Sequence, residues 1–154
     1  MLDQDSELGS QLEEWFNAEV EPLGNVDEID KRTINLAGAD VYQKKLRDVT
    51  RAKHYSHFHD DVYGHMADGI ATAFGTEGKA QEVSTDLGGV YVGWENHFHA
   101  MNAMRLNDGT KSRPGDHFKT NIDNDQVTID EVLSAEKKAY KERMSHKGIH
   151  VDDH

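Results

Sequence analysis

The chain has 154 residues, enough for one domain with one core, and an apolar content of 36% against 30% charged residues makes that core lean. It contains no cysteine, which excludes disulfides, thiolate nucleophiles and cysteine-based zinc or iron–sulfur centres. The formal charge of −12 is lopsided: residues 1–30 hold ten acids and no Lys or Arg, so the remainder carries only −2 and offers no basic stripe for gripping duplex DNA.

Met1 to Ser10 lacks the basic and apolar regions of a signal peptide, and no apolar run approaches the roughly 20 residues that span a bilayer. A soluble chain made in the cytoplasm is the expectation. Leu8, Leu12, Trp15, Phe16, Val20 and Leu23 recur at helical spacing, with Ser10 and Glu13 as a capping box and Pro22 closing the run. Residues 1–25 therefore read as an acidic N-terminal helix or arm. It either packs on its own domain or docks Trp15 and Phe16 on a neighbour, because so polar a helix is marginal alone.

The spacing predicts a second helix from Asp27 to Thr50, with Asn25 and Glu28 at cap-like positions and an apolar stripe of Ile34, Ala37, Val41, Leu46 and Val49. Gly38 inside it points to a close packing contact. Periodicity stops from Arg51 to His65, which reads as a loop. A helical turn follows over Met66 to Ile70, then strands over Ala71 to Phe74, Val83 to Thr85 and Val90 to Trp94, with turns at Gly75 and Gly78. A helix from Asn96 to Leu106 carries Phe98, Met101, Met104 and Leu106 and is stopped by Asn107, Asp108 and Gly109; Pro114 and Gly115 mark a further turn. The last helix runs from Ile129 to Ser145, boxed by Thr128 and Glu131 and ended by Gly148, with acids first and bases last as the helix dipole prefers. Residues 149–154 read as a disordered tail. The expected class is α+β: one domain over 26–148, with a small antiparallel sheet packed by two or three longer helices.

Ten histidines are many for this length, and His54, His57, His59 and His65 flank Asp60 and Asp61. Imidazole with carboxylate suits zinc, nickel or iron, so a small metal-binding protein or metal-dependent hydrolase centred on this loop is one reading. Against it, the spacing matches no H-E-x-x-H site. His97 and His99 repeat the same H-x-H spacing beside a strand end. The segment Gly75 to Ala80 resembles a phosphate loop, but Ala73 and Ala80 stand where a P-loop needs glycine and a hydroxyl residue. No G-x-S-x-G elbow is present, and the adjacent acid pairs Asp60-Asp61 and Asp152-Asp153 read as solvated. Nothing in the pattern marks an enzyme or calls for a cofactor. The acidic first 30 residues also fit a DNA-mimic inhibitor that would bind a basic DNA-handling enzyme.

The most particular pattern lies between Val92 and Phe118: Val92-Gly93-Trp94, then Arg105-Leu106-Asn107-Asp108-Gly109-Thr110-Lys111, then Gly115-Asp116-His117-Phe118. It resembles the head–tail joining proteins, the neck or tail-completion components of long-tailed double-stranded DNA phages. Ala37 to Val41, Lys53-His54, His65 to Ile70 and the Leu133 to Tyr140 helix agree, so the likeness spans about residues 30–147. Gly69 departs from the small hydroxyl residue expected there, and the crowding of His57 and His59 is foreign to the family. The resemblance implies an α+β subunit of the virion neck that closes a ring, a hexamer, between the connector or head-completion protein and the tail terminator or tail tube. Genomic DNA passes without sequence-specific binding, and no membrane is involved. Trp94, Asn107, Asp108, Gly109, Thr110, Lys111 and Phe118 join Trp15 and Phe16 as candidates for subunit contacts.

Overall fold

Short polar side chains set where the helices begin, and in each case one turn earlier than or beside the expected position. In the computed structural model, which describes residues 6–54, 65–74 and 90–151, Ser6 Oγ accepts from the Gly9 N–H at 3.0 Å and opens α1, Glu7–Trp15. Ser10 lies inside that helix. A π-turn over Phe16–Val20 and a 3-10 turn over Glu21–Leu23 follow, and Gly24 ends the segment at φ +66°. The second helix, α2, spans Glu28–His54, four residues past the predicted end. Asp27 Oδ1 accepts from the Asp30 N–H at 2.8 Å while Asp30 Oδ2 accepts from the Asp27 N–H at 3.0 Å, so this reciprocal pair and not Asn25 caps it.

After a 3-10 turn at Met66–Asp68, β1 (Ile70–Phe74) pairs antiparallel with β2 (Val90–Trp94), Ile70 opposite Trp94 and Phe74 opposite Val90. The sheet lies on α2. Gln43 of α2 fastens its edge, donating to the Ile70 carbonyl at 3.1 Å and accepting from the Thr72 hydroxyl at 2.6 Å. The expected strand at Val83 to Thr85, the phosphate-loop lookalike at 75–80 and residues 152–154 lie outside the described residues.

Asn96 caps α3, His97–Asp108, by accepting from the Phe98 and His99 N–H groups. A short helix absent from the sequence reading, α4, covers Phe118–Asp123. The last helix, α5, covers Gln126–His146 and is capped by Asp125, which accepts from the Thr128 N–H, and not by Thr128 itself. Its end is a Schellman turn: Gly148 N–H bonds the Ser145 carbonyl and Ile149 N–H bonds the Met144 carbonyl, with Gly148 at φ +76°. Ile149 and Val151 then pack on apolar side chains, so the first residues of the expected tail are part of the packed structure.

The chain is α+β: the described residues form five α-helices and a two-stranded antiparallel sheet, with the N-terminal acidic helix present. Its centre is α2 packed along α5. One cluster gathers Tyr42, Leu46, Val92, Phe118, Ile129 and Val132; a second gathers Trp15, Val20, Ile34, Tyr140 and Met144; Leu133 touches both. Gly38 meets its expectation of a close contact: a Cβ there would stand 2.7 Å from Glu136 Cγ. Among the described residues no helix is long and apolar enough to cross a membrane.

Candidate subunit interface

The segment that carries the resemblance folds into one corner between α3 and α4. Gly109 leaves α3 at φ +91°, a turn over Thr110 to Arg113 reverses the chain through paired backbone bonds, and Gly109 bridges Pro114. The two legs then run so close that a Cβ on Gly109 would stand 2.6 Å from the Gly115 nitrogen, and one on Gly115 would stand 2.5 Å from the Asp108 carbonyl carbon. Only glycine fits at either place, because the obstacle is backbone.

Asn107 locks the corner. His117 opens α4 with a left-handed backbone, φ 55°, and contributes no side-chain cap. The α4 donors are met from a distance instead: Asn107 Oδ1 accepts from the Lys119 and Thr120 N–H groups at 2.9 and 3.0 Å, and Asp116 Oδ1 accepts from the Phe118 N–H at 3.1 Å. Asn107 Nδ2 donates to Asp108 and to the Thr120 hydroxyl. Backbone bonds from Asp116 N–H to the Leu106 carbonyl and from His117 N–H to the Asn107 carbonyl close the knot. Phe118 is buried beneath it, its ring 4.8 Å from that of His54, whose Nε2 lies 2.7 Å from Asp116 Oδ2.

The candidate contact residues thus divide. Asn107 and Phe118 are buried and structural; Trp94 is half-buried, its indole N–H donating to the Met66 carbonyl at 3.1 Å; Gly109 is there for its backbone. Trp15 is buried on its own chain, edge-on to Tyr140 at 6.0 Å and donating to Glu19, and Phe16 is half-buried under the Lys31 ammonium. Of the two N-terminal readings, the helix packs on its own domain with Trp15 as the anchor. Asp108, Thr110 and Lys111 remain exposed, with Arg113 beside them.

The sequence shows Phe98, Met101, Met104 and Leu106 at helical spacing along α3 without showing which side faces the core. Ala103 and Asn107 are the ones facing inward, while Phe98 is 63% and Met104 is 62% exposed and Met101 lies between them. The small residue four positions before Asn107 was the available signal: a helix seated closely on a neighbour puts alanine, not methionine, at the contact. Leu23, the last residue of the first apolar stripe, is exposed, as is Ile29, which the sequence did not single out; the two flank the bend before α2.

Three acids are buried, Asp123 at the end of α4 and, away from the corner, Asp30 and Glu136. Asp30 is buried between Arg143, at 2.8 Å from Oδ1, and Lys147. Burial opposes its charge, but hydrogen bonds from Lys147, the Asp27 N–H and Arg143 outweigh that and lower its pKa to about 2. Glu136, against Gly38, has no such partners, and burial pushes its carboxyl well above the usual range. Tyr42 donates to the Asp123 carboxylate, and burial together with that charge raises its phenol.

Of the metal reading, His57, His59, Asp60 and Asp61 lie outside the described residues. His54 packs on Phe118, and His65 Nδ1 accepts from the Ala67 N–H at 3.0 Å. Among the described residues no group of three or more metal-ligating side chains comes together. Comparison with protein-family profiles, with characterised proteins and with solved structures finds no match.

Proposed function

We propose that this chain is a structural component of the phage neck, a subunit of a ring that joins the DNA-filled head to the tail. The observation that carries the reading is the α3–α4 corner: two of the stretches that resemble the joining proteins, Arg105–Lys111 and Gly115–Phe118, form one interlocked unit, held by Asn107 and the Gly109–Gly115 crossing. That unit holds the exposed face of α3 and the Thr110–Arg113 turn at the surface, where a neighbouring subunit can be met. The role is mechanical, with no turnover. The exposed acids of residues 13–21 and the net charge of −12 disfavour a grip on DNA as it passes.

The test is electron microscopy of phage particles made without this chain. Separate DNA-filled heads and finished tails are expected. Intact, infectious particles overturn the reading, as does a reconstruction of the mature virion with no copy of the chain on its central axis.

A further inference from the structure

Six large apolar side chains are exposed among the described residues, and five of them fall into two patches. Leu23, 49% exposed, and Ile29, 67% exposed, flank the bend between the 3-10 turn and α2. Phe98, Met101 and Met104 line the outer side of α3. The charges beside the two patches have opposite signs. Glu13, Glu14 and Glu21 lead up to the bend, are exposed and make no ion pair among the described residues. Arg105, Lys111 and Arg113 surround the end of α3 and are likewise exposed and unpaired. Two acids lie next to these three cations: Asp116 meets His54 and the Phe118 N–H, and Asp108 accepts from Asn107 but stays exposed and charged, so cations remain in excess there, while Glu95 lies at the far end of α3.

We propose that the two patches meet between copies of this chain, the Leu23–Ile29 bend of one subunit seating on α3 of the next. The pairing rests on the ring reading above and deepens it by naming the surfaces that close the ring. An apolar centre with a charged rim is the anatomy of a specific protein interface, and here each half supplies what the other lacks. Because the two patches are different surfaces of one chain, the contact is head-to-tail, the type that closes into a ring when the rotation per subunit allows. The two patches lie at opposite ends of α2: the bend precedes Glu28, where Lys147 donates to the Asn25 carbonyl, whereas the α3 corner meets the last residue of α2 through His54 and Asp116, so one copy can engage a neighbour through each.

The chain has no cysteine, so introduced thiols report on this contact alone. Ile29→Cys and Met104→Cys chains, mixed at high concentration and oxidised, are expected to give a mixed disulfide in excess over either homodimer, since the bond requires the two Cβ atoms within about 4.5 Å. In sedimentation, reversing the cations (Arg105→Glu, Lys111→Glu, Arg113→Glu) or the acids (Glu13→Lys, Glu14→Lys, Glu21→Lys) is expected to abolish self-association. Mixing the two reversed chains, or placing all six changes in one chain, is expected to restore it. Far-ultraviolet circular dichroism unchanged in each variant shows that the fold is intact.

Homodimers of Met104→Cys without the mixed species show an α3-to-α3 contact and overturn the pairing. So does failure of the six-fold variant to assemble, or a parent chain that stays monomeric and gives no mixed disulfide. None of these touches the neck reading, which the mutant particles decide; particles of normal form with a positive cross-link leave a self-assembling ring of another kind.

Discussion

Asn107 carries more of this fold than its size suggests, since one carboxamide oxygen serves two amide donors of α4. Asn107→Ala orphans both in a buried place and is expected to cost about 1–3 kcal/mol in urea unfolding. Asn107→Asp keeps the acceptor but loses the donation to Asp108 and sets a second charge beside it, so it recovers only part of that loss. Gly115→Ala drives a methyl group into the backbone from Asn107 to Gly109 and is expected to be at least as damaging, about 3 kcal/mol or more. Two of the buried acids predict opposite dependences on pH. Asp30, lowered from an ordinary 3.8 to about 2, stabilises the fold fully above about pH 4 and loses this as pH falls through 2. A shift of that size corresponds to about 2 kcal/mol, which Asp30→Asn removes from the pH–stability profile. Glu136, raised above an ordinary 4.5, works the other way: the unfolded chain ionises first, so stability falls as pH rises past 4.5. Glu136→Gln is expected to melt higher than the parent at pH 7 and at the same temperature at pH 3.

At the scale of elements, α2 against α5 is the central contact, and Gly38 with Glu136 is its tightest point. Gly38→Ala drives a methyl group into the Glu136 side chain and is expected to cost about 1–3 kcal/mol. In the Gly38→Ala, Glu136→Ala double variant the space is shared, so the two costs should sum to less than their separate values, a coupling that thermal melts can read. The sequence made Gly38 legible because a glycine inside a long amphipathic helix needs a reason. It also revealed both described strands, through the alternation around Val92, and the three longer helices. It did not reveal α4: six residues are too few for periodicity, and their donors are met by Asn107 and Asp116 rather than by a local cap. The starts of α1 and α5 were misplaced for a related reason. Ser, Thr, Asp and Asn crowd each boundary, and which one caps depends on the angle at which the chain arrives. The side of α3 that faces out was equally hidden, because Phe98, Met101 and Met104 have the spacing of a core stripe and only the docking of Ala103 and Asn107 decides the matter.

For the whole molecule, the uneven charge is the property that matters most. Ten of the acids lie in the first 30 residues; among the described ones Asp30 is enclosed by Arg143 and Lys147, Asp27 also meets Lys147, Glu28 meets Arg32, and Glu7, Glu13, Glu14, Glu19 and Glu21 make no ion pair. Attraction between such an end and the cations near α3 is screened over about 8 Å at physiological ionic strength, so self-association is expected to weaken steeply as salt is raised from 0.05 to about 1 M. An assembly indifferent to salt points to the apolar patches as the dominant attraction. The interlocked α3–α4 corner has a further bearing on the proposed ring contact. The bonds that hold the corner lie on one side of α3, whereas Phe98, Met101 and Met104 stand on the other. On the proposed pairing, exchanging those outward residues alone is expected to change which copies assemble while leaving the hinge-pin of the architecture intact.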